Sequence, residues 1–375
     1  MAATQPRVCI LGFGSIGVLL ASHLQQNAQV TVIPLLRSEK RLEDLIAHRK
    51  TANVKSLFLD QQPIRETIFD AATCPELIPN DWKIDNLIIT TKTYQTKDAL
   101  KPYMKYLHPR TNIMLVQNGL GVFEVLNEEI FVEWKPNLFQ GVISHGIFNT
   151  GGFSFSHAGF GNLKVARLPS QDPGSIVQSN QLISSDRSGN ELIRIMNDSN
   201  FAAGLDVQHL TYQEMLLGQL EKLIVNCCMN SVTSIVDCIN GELRDIGAPI
   251  FDAIISESLT VLQTAYKPLF DYKPSSRDFP SLDVLGVLDR KRLLAFVLNI
   301  GCVVNGSNST SMRQDVVNLR DTEIEYINGY IVRLCDKLAL GRESCKTNET
   351  IETLVKLRLG LNRYRDEHGD KRVKH

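Results

Sequence analysis

An α/β N-terminal half followed by an all-α C-terminal half is the architecture that this 375-residue sequence predicts, and three observations predict it. As far as Val165, short apolar runs alternate with helix-length amphipathic stretches, the signature of βαβ units around a parallel sheet. The first of those runs is followed by a glycine-rich segment, Gly12-Phe13-Gly14-Ser15-Ile16-Gly17. Beyond His209 the apolar residues change to helical spacing. At roughly 150 residues per domain the chain has room for two, and the change of pattern divides it into residues 1–208 and 209–375.

Taken in order, Arg7–Leu11 reads as a strand, Ser15–Gln26 as a helix and Gln29–Ile33 as a second strand. Asn86–Thr91 and Asn112–Val116 are further strands, with a helix over Thr96–Leu107 between them. Leu138–Phe148 and Gly161–Val165 are extended, β-rich stretches around a glycine turn at Thr150–Gly152. Residues 169–199 turn to Ser, Asn, Gln and Asp with no apolar period before Leu192, and are expected as a polar surface insertion. Helices are expected over Tyr212–Ile239, Ile250–Tyr266, Lys291–Val303, Thr322–Leu340 and Thr347–Leu361.

Composition narrows the function. Forty Lys and Arg offset 41 Asp and Glu for a formal net charge of −1, so no global basic field is available for DNA, RNA or an anionic membrane, and such partners are not expected. No apolar run reaches membrane-spanning length, and the stretch Val8–Leu24 is interrupted by three glycines, unlike a signal-peptide core. The eight cysteines form no C-x-x-C pair and mostly sit in apolar runs, as reduced thiols do. A reducing compartment, the cytoplasm, is expected. The eight histidines form no H-E-x-x-H, and no metal site is expected. The charged end Asp370–His375 reads as a solvated tail without function.

The glycine segment follows a strand-like run and opens a helix-like one, as a dinucleotide site requires. Gly12 permits the tight turn, Gly14 lets a pyrophosphate approach the backbone, and Gly17 lets the helix pack close to the strand. The helix N-terminus then faces the phosphates. No acid stands about 20 residues on to hold a ribose 2′-hydroxyl. Arg37, Lys40 and Arg41 stand there instead, either a solvated helix start or a set of cations for a 2′-phosphate. NADPH/NADP+ is accordingly expected over NADH.

In the second half, Lys222, Asn226 and Asn230 stand at i, i+4 and i+8, one stripe of a helix that is apolar almost everywhere else. A second polar cluster, Asn308–Asp315, precedes Thr322-Glu323-Ile324-Glu325. Taken alone, Thr322 or Asp321 would cap a helix there, with Glu323 and Glu325 as first-turn acids.

Together these segments resemble the ketopantoate reductase family in order and local spacing, over about residues 7–355. The resemblance is carried by the Gly12–Gly17 cradle, Thr91-Lys92-Thr93-Tyr94-Gln95, Gln117-Asn118-Gly119-Leu120-Gly121, Glu221-Lys222 with Asn226 and Asn230, and Ser311-Met312-x-Gln314-Asp315 with Thr322-Glu323-Ile324. It implies an N-terminal Rossmann domain, an all-α C-terminal domain, a cleft between them, and NADPH-dependent reduction of 2-dehydropantoate to pantoate, on the way to pantothenate and coenzyme A. Lys222 would then be the general acid, and Glu323 the acid that orients it or contacts substrate. Asn118 would stand between nicotinamide and Lys222, and Lys92 would line the cofactor side. Asn226, Asn230, Asn240, Asn308 and Ser311 would bind the substrate's hydroxyl and carboxylate. Gly12, Phe13, Gly14, Ser15, Ile16 and Gly17 would hold the pyrophosphate, and Arg37 the 2′-phosphate. The chain departs from the family pattern at Phe13 and Ser15, where Ala is frequent, and at Glu343–Asn348, where no Pro precedes Thr347-Asn348.

The chemistry suits these residue types. Hydride delivery to a ketone builds negative charge on oxygen, and a lysine both stabilises that charge and donates the proton. Burial lowers a lysine's pKa, and a neighbouring carboxylate opposes the fall. The same residues would also serve a reductase of another 2-oxo acid, and the cradle alone would serve a non-catalytic NADP(H) sensor. The expected partner is a small 2-oxo acid, and the expected state a monomer or homodimer.

Overall fold

The computed structural model describes residues 5–169 and 176–369, so the Asp370–His375 tail and part of the polar 169–199 stretch lie outside the described residues. Two compact units form. One comprises Met1–Asn118, Phe123–Met215 and Ser276–Pro280, and the other Gly119–Val122, Leu216–Ser275 and Ser281–His375. Among the described residues no helix is long and apolar enough to cross a membrane.

The first unit holds β1 (Arg7–Leu11), β2 (Thr31–Leu35), β3 (Thr51–Ser56), β4 (Ile64–Ile68), β5 (Asn86–Ile89), β6 (Asn112–Val116), β7 (Asn137–Ile143), β8 (Gly146–Gly151), β9 (Ser154–Gly159), β10 (Leu163–Arg167) and β11 (Val207–His209). Its larger sheet runs β11-β10-β7-β6-β5-β1-β2. From β2 to β7 the pairing is parallel, and β10 joins antiparallel to β7. Every residue of β5 and β6 is buried, which is why these strands run apolar without alternation after an opening asparagine each, Asn112 Nδ2 donating to Asn86 Oδ1 at 2.9 Å. Pro34 is tolerated because β2 is the sheet's edge. A second sheet, β4-β3-β9-β8, lies within the same unit.

The helix Ser15–Asn27 contacts strands of both sheets, and its Val18, Leu19, Leu20, Ala21 and Leu24 are completely buried. They share one core with Val8 and Ile10 of the larger sheet and Ala52, Val54 and Phe155 of the smaller. A helix covered on two sides must be apolar on two sides. The polar stretch after Leu168 joins this core as well. Its Glu191–Met196 helix buries Leu192, Ile193, Ile195 and Met196, capped by Asn190, whose side chain accepts the Ile193 N–H at 3.1 Å. The preceding helix, Asn180–Gly189, is held by Asp186, paired with Arg167 at 2.9 Å.

The second unit is helical, with Tyr212–Val236 as its longest helix and Ala248–Ala265, Ser311–Val317, Asn328–Lys337 and Lys346–Glu367 around it. Three expected helices are reshaped. Thr96–Leu107 is α-helical only to Leu100 and then narrows to a 3₁₀ segment, Lys101–Tyr106, where Pro102 supplies no N–H. Lys291–Val303 is α-helical over Arg290–Phe296 and widens to a π-helix over Val297–Val304. There Gly301 allows close approach, since a Cβ on it would stand 2.7 Å from the Met229 sulfur. Thr322–Leu340 begins as a 3₁₀ turn, Ile324–Tyr326, and becomes α-helical only at Asn328.

Two histidines fasten the first unit. The Gly161 N–H donates to His145 Nδ1 at 3.1 Å, so the ring proton of His145 is on Nε2 and goes to the Leu205 carbonyl, also at 3.1 Å. His157 Nε2 lies 3.0 Å from His145 Nδ1. Burial, followed by the neighbouring His145, pushes the His157 pKa down to about 4, and burial lowers that of His145. Burial thus favours the neutral form of both rings when folded, whereas an unfolded histidine titrates near 6.5. Between those values the unfolded chain binds more protons, so this stabilisation is complete above pH 6.5 and is lost as pH falls towards 4. Melting temperature is expected to decline from pH 6.5 to 4.5 in the wild type and less steeply in His157→Gln; equal slopes would refute the account.

Candidate functional site

The cradle's three glycines do three different jobs. Gly12 has φ +100°, and a Cβ there would lie 2.6 Å from the Thr91 nitrogen, so the end of β1 touches the turn after β5. Thr90 closes that contact, its N–H donating to Leu11 O at 2.8 Å and its hydroxyl to Gly12 O. At Gly17 a Cβ would stand 2.0 Å from Gly12 O, so only glycine lets the helix start this near the strand. At Gly14 a Cβ would meet nothing within 4 Å. Gly14 is exposed and extended, and the helix begins at Ser15 with no acid in its first turn. The N–H groups of Ser15, Ile16 and Gly17 precede the first intrahelical bond, Val18 N–H to Gly14 O at 2.8 Å. Open space beside unpaired amides at the positive end of a helix fits a pyrophosphate. Phe13 turns its ring inward against Phe69 and Phe153, with centroids 5.3 and 6.3 Å away, which leaves only its backbone for a ligand.

The neighbouring loops also leave the carboxyl ends of parallel strands, where open α/β sheets bind ligands. Lys92 follows β5 and is half-buried ahead of the 3₁₀ turn Thr93–Gln95. Gln117 follows β6 and donates from Nε2 to Thr91 O at 2.6 Å and to the Thr96 hydroxyl, tying the two loops together. In the sequence Gln117 shows only as a polar amide directly after the apolar run Ile113–Val116. Arg37 is exposed just past β2. Of its companions, Lys40 is exposed too, whereas Arg41 lies over the Phe153 ring at 4.1 Å and pairs with Asp44 at 3.8 Å.

In the second unit, Lys222, Asn226 and Asn230 are half-buried along Tyr212–Val236, while Leu223, Ile224, Cys227 and Cys228 are buried. Burial pushes the thiols of Cys227 and Cys228 far up, so they pack as inert groups. Asn240 is buried, its N–H donates to Asn308 O at 3.0 Å, and its Oδ1 is buried without a hydrogen-bond partner among the described residues. Asn308 is exposed, with its side-chain amide on Asn305 Oδ1 at 3.1 Å. Ser311 is exposed at the start of its helix, which Thr310 caps. The Thr310 and Thr233 hydroxyls meet at 2.8 Å, joining this segment to the polar-stripe helix.

The expectation that Thr322 or Asp321 caps a helix with Glu323 in its first turn does not hold. Glu323 is buried and precedes the 3₁₀ turn, and the helix that follows starts after Ile327 without a side-chain cap. Glu325, at the expected capping-box position, is exposed and pairs with Lys356 at 2.9 Å. Against the Glu323 turn lies Gly119, with φ +76° and its missing Cβ only 2.5 Å from Tyr326 O. The Leu120 N–H donates to Tyr326 O at 3.0 Å, and the Tyr326 N–H donates to Glu323 O at 2.9 Å. Asn118, exposed, directly precedes Gly119.

Residues 8–170 match the family model for ketopantoate reductase PanE/ApbA, and residues 214–358 match that for its C-terminal part. The chain is 44% identical over 367 residues to 2-dehydropantoate 2-reductase of Saccharomyces cerevisiae, covering 96% of each. It is 37% identical over 364 residues to the probable 2-dehydropantoate 2-reductase of Schizosaccharomyces pombe, covering 96% of this chain and 98% of that one. Its fold is that of the putative 2-dehydropantoate 2-reductase from Enterococcus faecalis, with a TM-score of 0.64, 20% identity, and coverage of 95% and 98%. An N-terminal α/β domain followed by a helical domain, with these sequence matches over nearly its whole length, means that the chain belongs to the ketopantoate reductase family.

Proposed function

We propose that the protein reduces 2-dehydropantoate to pantoate with NADPH. The observation that carries this reading is the half-buried Lys222–Asn226–Asn230 stripe, in a chain of this family whose Glu323 is buried beside the Gly119 loop. Residues 1–208 bind the dinucleotide and residues 209–375 carry the groups for the substrate. The protein works in the cytoplasm, as a monomer or homodimer.

Bound NADPH supplies the hydride. The amides of Ser15, Ile16 and Gly17 and the backbone from Gly12 to Gly14 hold the pyrophosphate, Lys92 lines the cofactor, and Arg37 meets the 2′-phosphate with a charge-assisted hydrogen bond. Lys222 Nζ stabilises the oxygen on which negative charge develops and gives it a proton. Glu323 favours the charged form of Lys222 and so keeps that proton in place. Asn226, Asn230, Asn240, Asn308 and Ser311 bind the substrate hydroxyl and carboxylate, and Asn118 orients the reacting groups. Amides and hydroxyls hold these without adding a charge that competes with the lysine. The partnerless Oδ1 of Asn240 is an acceptor suited to a substrate hydroxyl.

The test is NADPH oxidation, followed optically with 2-dehydropantoate, other 2-oxo acids and NADH in parallel. Preference for 2-dehydropantoate with NADPH is expected. Activity confined to another 2-oxo acid would replace the substrate, and cofactor binding without any turnover would replace the function with sensing. Lys222→Ala is expected to lower kcat by about 100-fold or more, the scale of general acid catalysis, with NADPH affinity unchanged; near-normal turnover would remove Lys222 from its role. Arg37→Ala should weaken NADPH binding roughly 10- to 100-fold, the worth of one charged hydrogen bond, and leave NADH binding as it was. Equal losses for both cofactors would move the 2′-phosphate contact elsewhere.

A further inference from the structure

The Thr347-Asn348 pair, where the chain departs from its family's pattern, begins a buried chain of amides. Asn348 is completely buried near the start of Lys346–Glu367. The backbone N–H groups of Thr347 and Asn348 donate to the Glu257 carboxylate at 2.8 and 3.0 Å, and Asn348 Nδ2 donates to it at 3.1 Å. An ionised carboxylate only accepts, so it decides which way the Asn348 amide faces. Asn348 Oδ1 therefore points onward and accepts from Asn328 Nδ2 at 3.0 Å. Asn328, also completely buried, is turned in consequence with its Oδ1 towards Ser231, whose hydroxyl donates to it. The Asn328 amide also reaches Cys227 O at 3.4 Å.

Cys227 and Ser231 are the residues next to Asn226 and Asn230, one helical turn apart. Apolar side chains packed between helices tolerate some sliding. Hydrogen bonds to atoms at i and i+4 do not, because movement by one residue breaks both. At its other end Asn328 opens the helix that directly follows the Glu323–Tyr326 turn.

We propose that Asn328 and Asn348 are positioning residues of the reduction, holding the turn that bears Glu323 in register along the helix that bears Lys222, with Glu257 setting the direction of their hydrogen bonds. This rests on the roles of Lys222 and Glu323 given above. Neither asparagine touches substrate in this account; each acts through the placement of the acid and the lysine.

A charge relocation tests it. Asn348→Asp sets a second carboxylate against Glu257 and removes the donor between them. Glu257→Gln in the same chain returns a donor at that point, with the negative charge moved by one side chain. Asn348→Asp is expected to lower kcat roughly 10- to 100-fold, the effect of sub-ångström to ångström misplacement, with the NADPH dissociation constant unchanged. Adding Glu257→Gln is expected to recover most of the lost kcat. A wild-type kcat in Asn348→Asp, or no recovery in a double variant that folds and binds NADPH normally, overturns the proposal. Should Asn348→Asp fail to fold, Ser231→Ala removes only the last donor, and the same kcat loss without NADPH loss is expected; unchanged kcat overturns the proposal there too. Failure of the functional reading shows differently, as a wild-type protein inactive on 2-dehydropantoate or a fully active Lys222→Ala, and it would take the proposal with it.

Discussion

Everything in the first unit follows from how near the Ser15–Asn27 helix starts to the strand before it. A missing side chain at Gly17 leaves Gly12 O where a Cβ would otherwise be, 2.0 Å away. That approach seats the helix on the larger sheet, leaves its other side to the smaller sheet, and directs its first amides into the open space beside Gly14. One steric allowance thus serves both packing and the cradle proposed for the pyrophosphate. Any β-carbon at residue 17 would force the helix outward and degrade both together.

The second unit solves a different problem, that of keeping polar groups along an otherwise apolar helix. Tyr212–Val236 buries Leu223, Ile224, Cys227 and Cys228, yet leaves Lys222, Asn226 and Asn230 half-exposed. Two of its buried polar side chains pair inside the unit, Ser231 with Asn328 and Thr233 with Thr310. Unpaired buried polar groups are costly, by roughly 1–3 kcal/mol each, yet Gln219 Oε1 of this helix and Asn240 Oδ1 beyond it are buried without a hydrogen-bond partner among the described residues.

The parts legible in the sequence were those where one physical cause dominates. β1 and β6 were readable to the residue because each is a buried apolar run of four behind one polar residue, Arg7 or Asn112, and the glycine cradle because its turn excludes side chains. Of the second sheet only the start of β8 and the turn after it were readable. In β4, Ile64 and Ile68 are 64% and 58% exposed while Thr67 is buried, so alternation points the wrong way. The core role of Glu191–Met196 was hidden because its six residues are too few to show a period beside polar neighbours. Glu323 looked like a first-turn acid because Thr322-x-x-Glu325 has capping-box spacing. Spacing could not reveal that the next helix waits until Asn328, whose side chain is engaged in the amide chain. The polar stripe, by contrast, depends only on helical periodicity and was visible at once.

The division into two units has a consequence for how such a protein can be taken apart. The backbone passes from one unit to the other at 118/119, 122/123, 215/216, 275/276 and 280/281. Neither unit is a continuous stretch of gene. A fragment ending at Met215 would lack Ser276–Pro280, and with it the Asp278 carbonyl that accepts the Asn180 N–H at 2.8 Å. A fragment beginning at Leu216 would lack Gly119–Val122, and with it the donor to Tyr326 O beside Glu323. The two units in this architecture are therefore not interchangeable cassettes, since a cut at any single junction severs at least one of them.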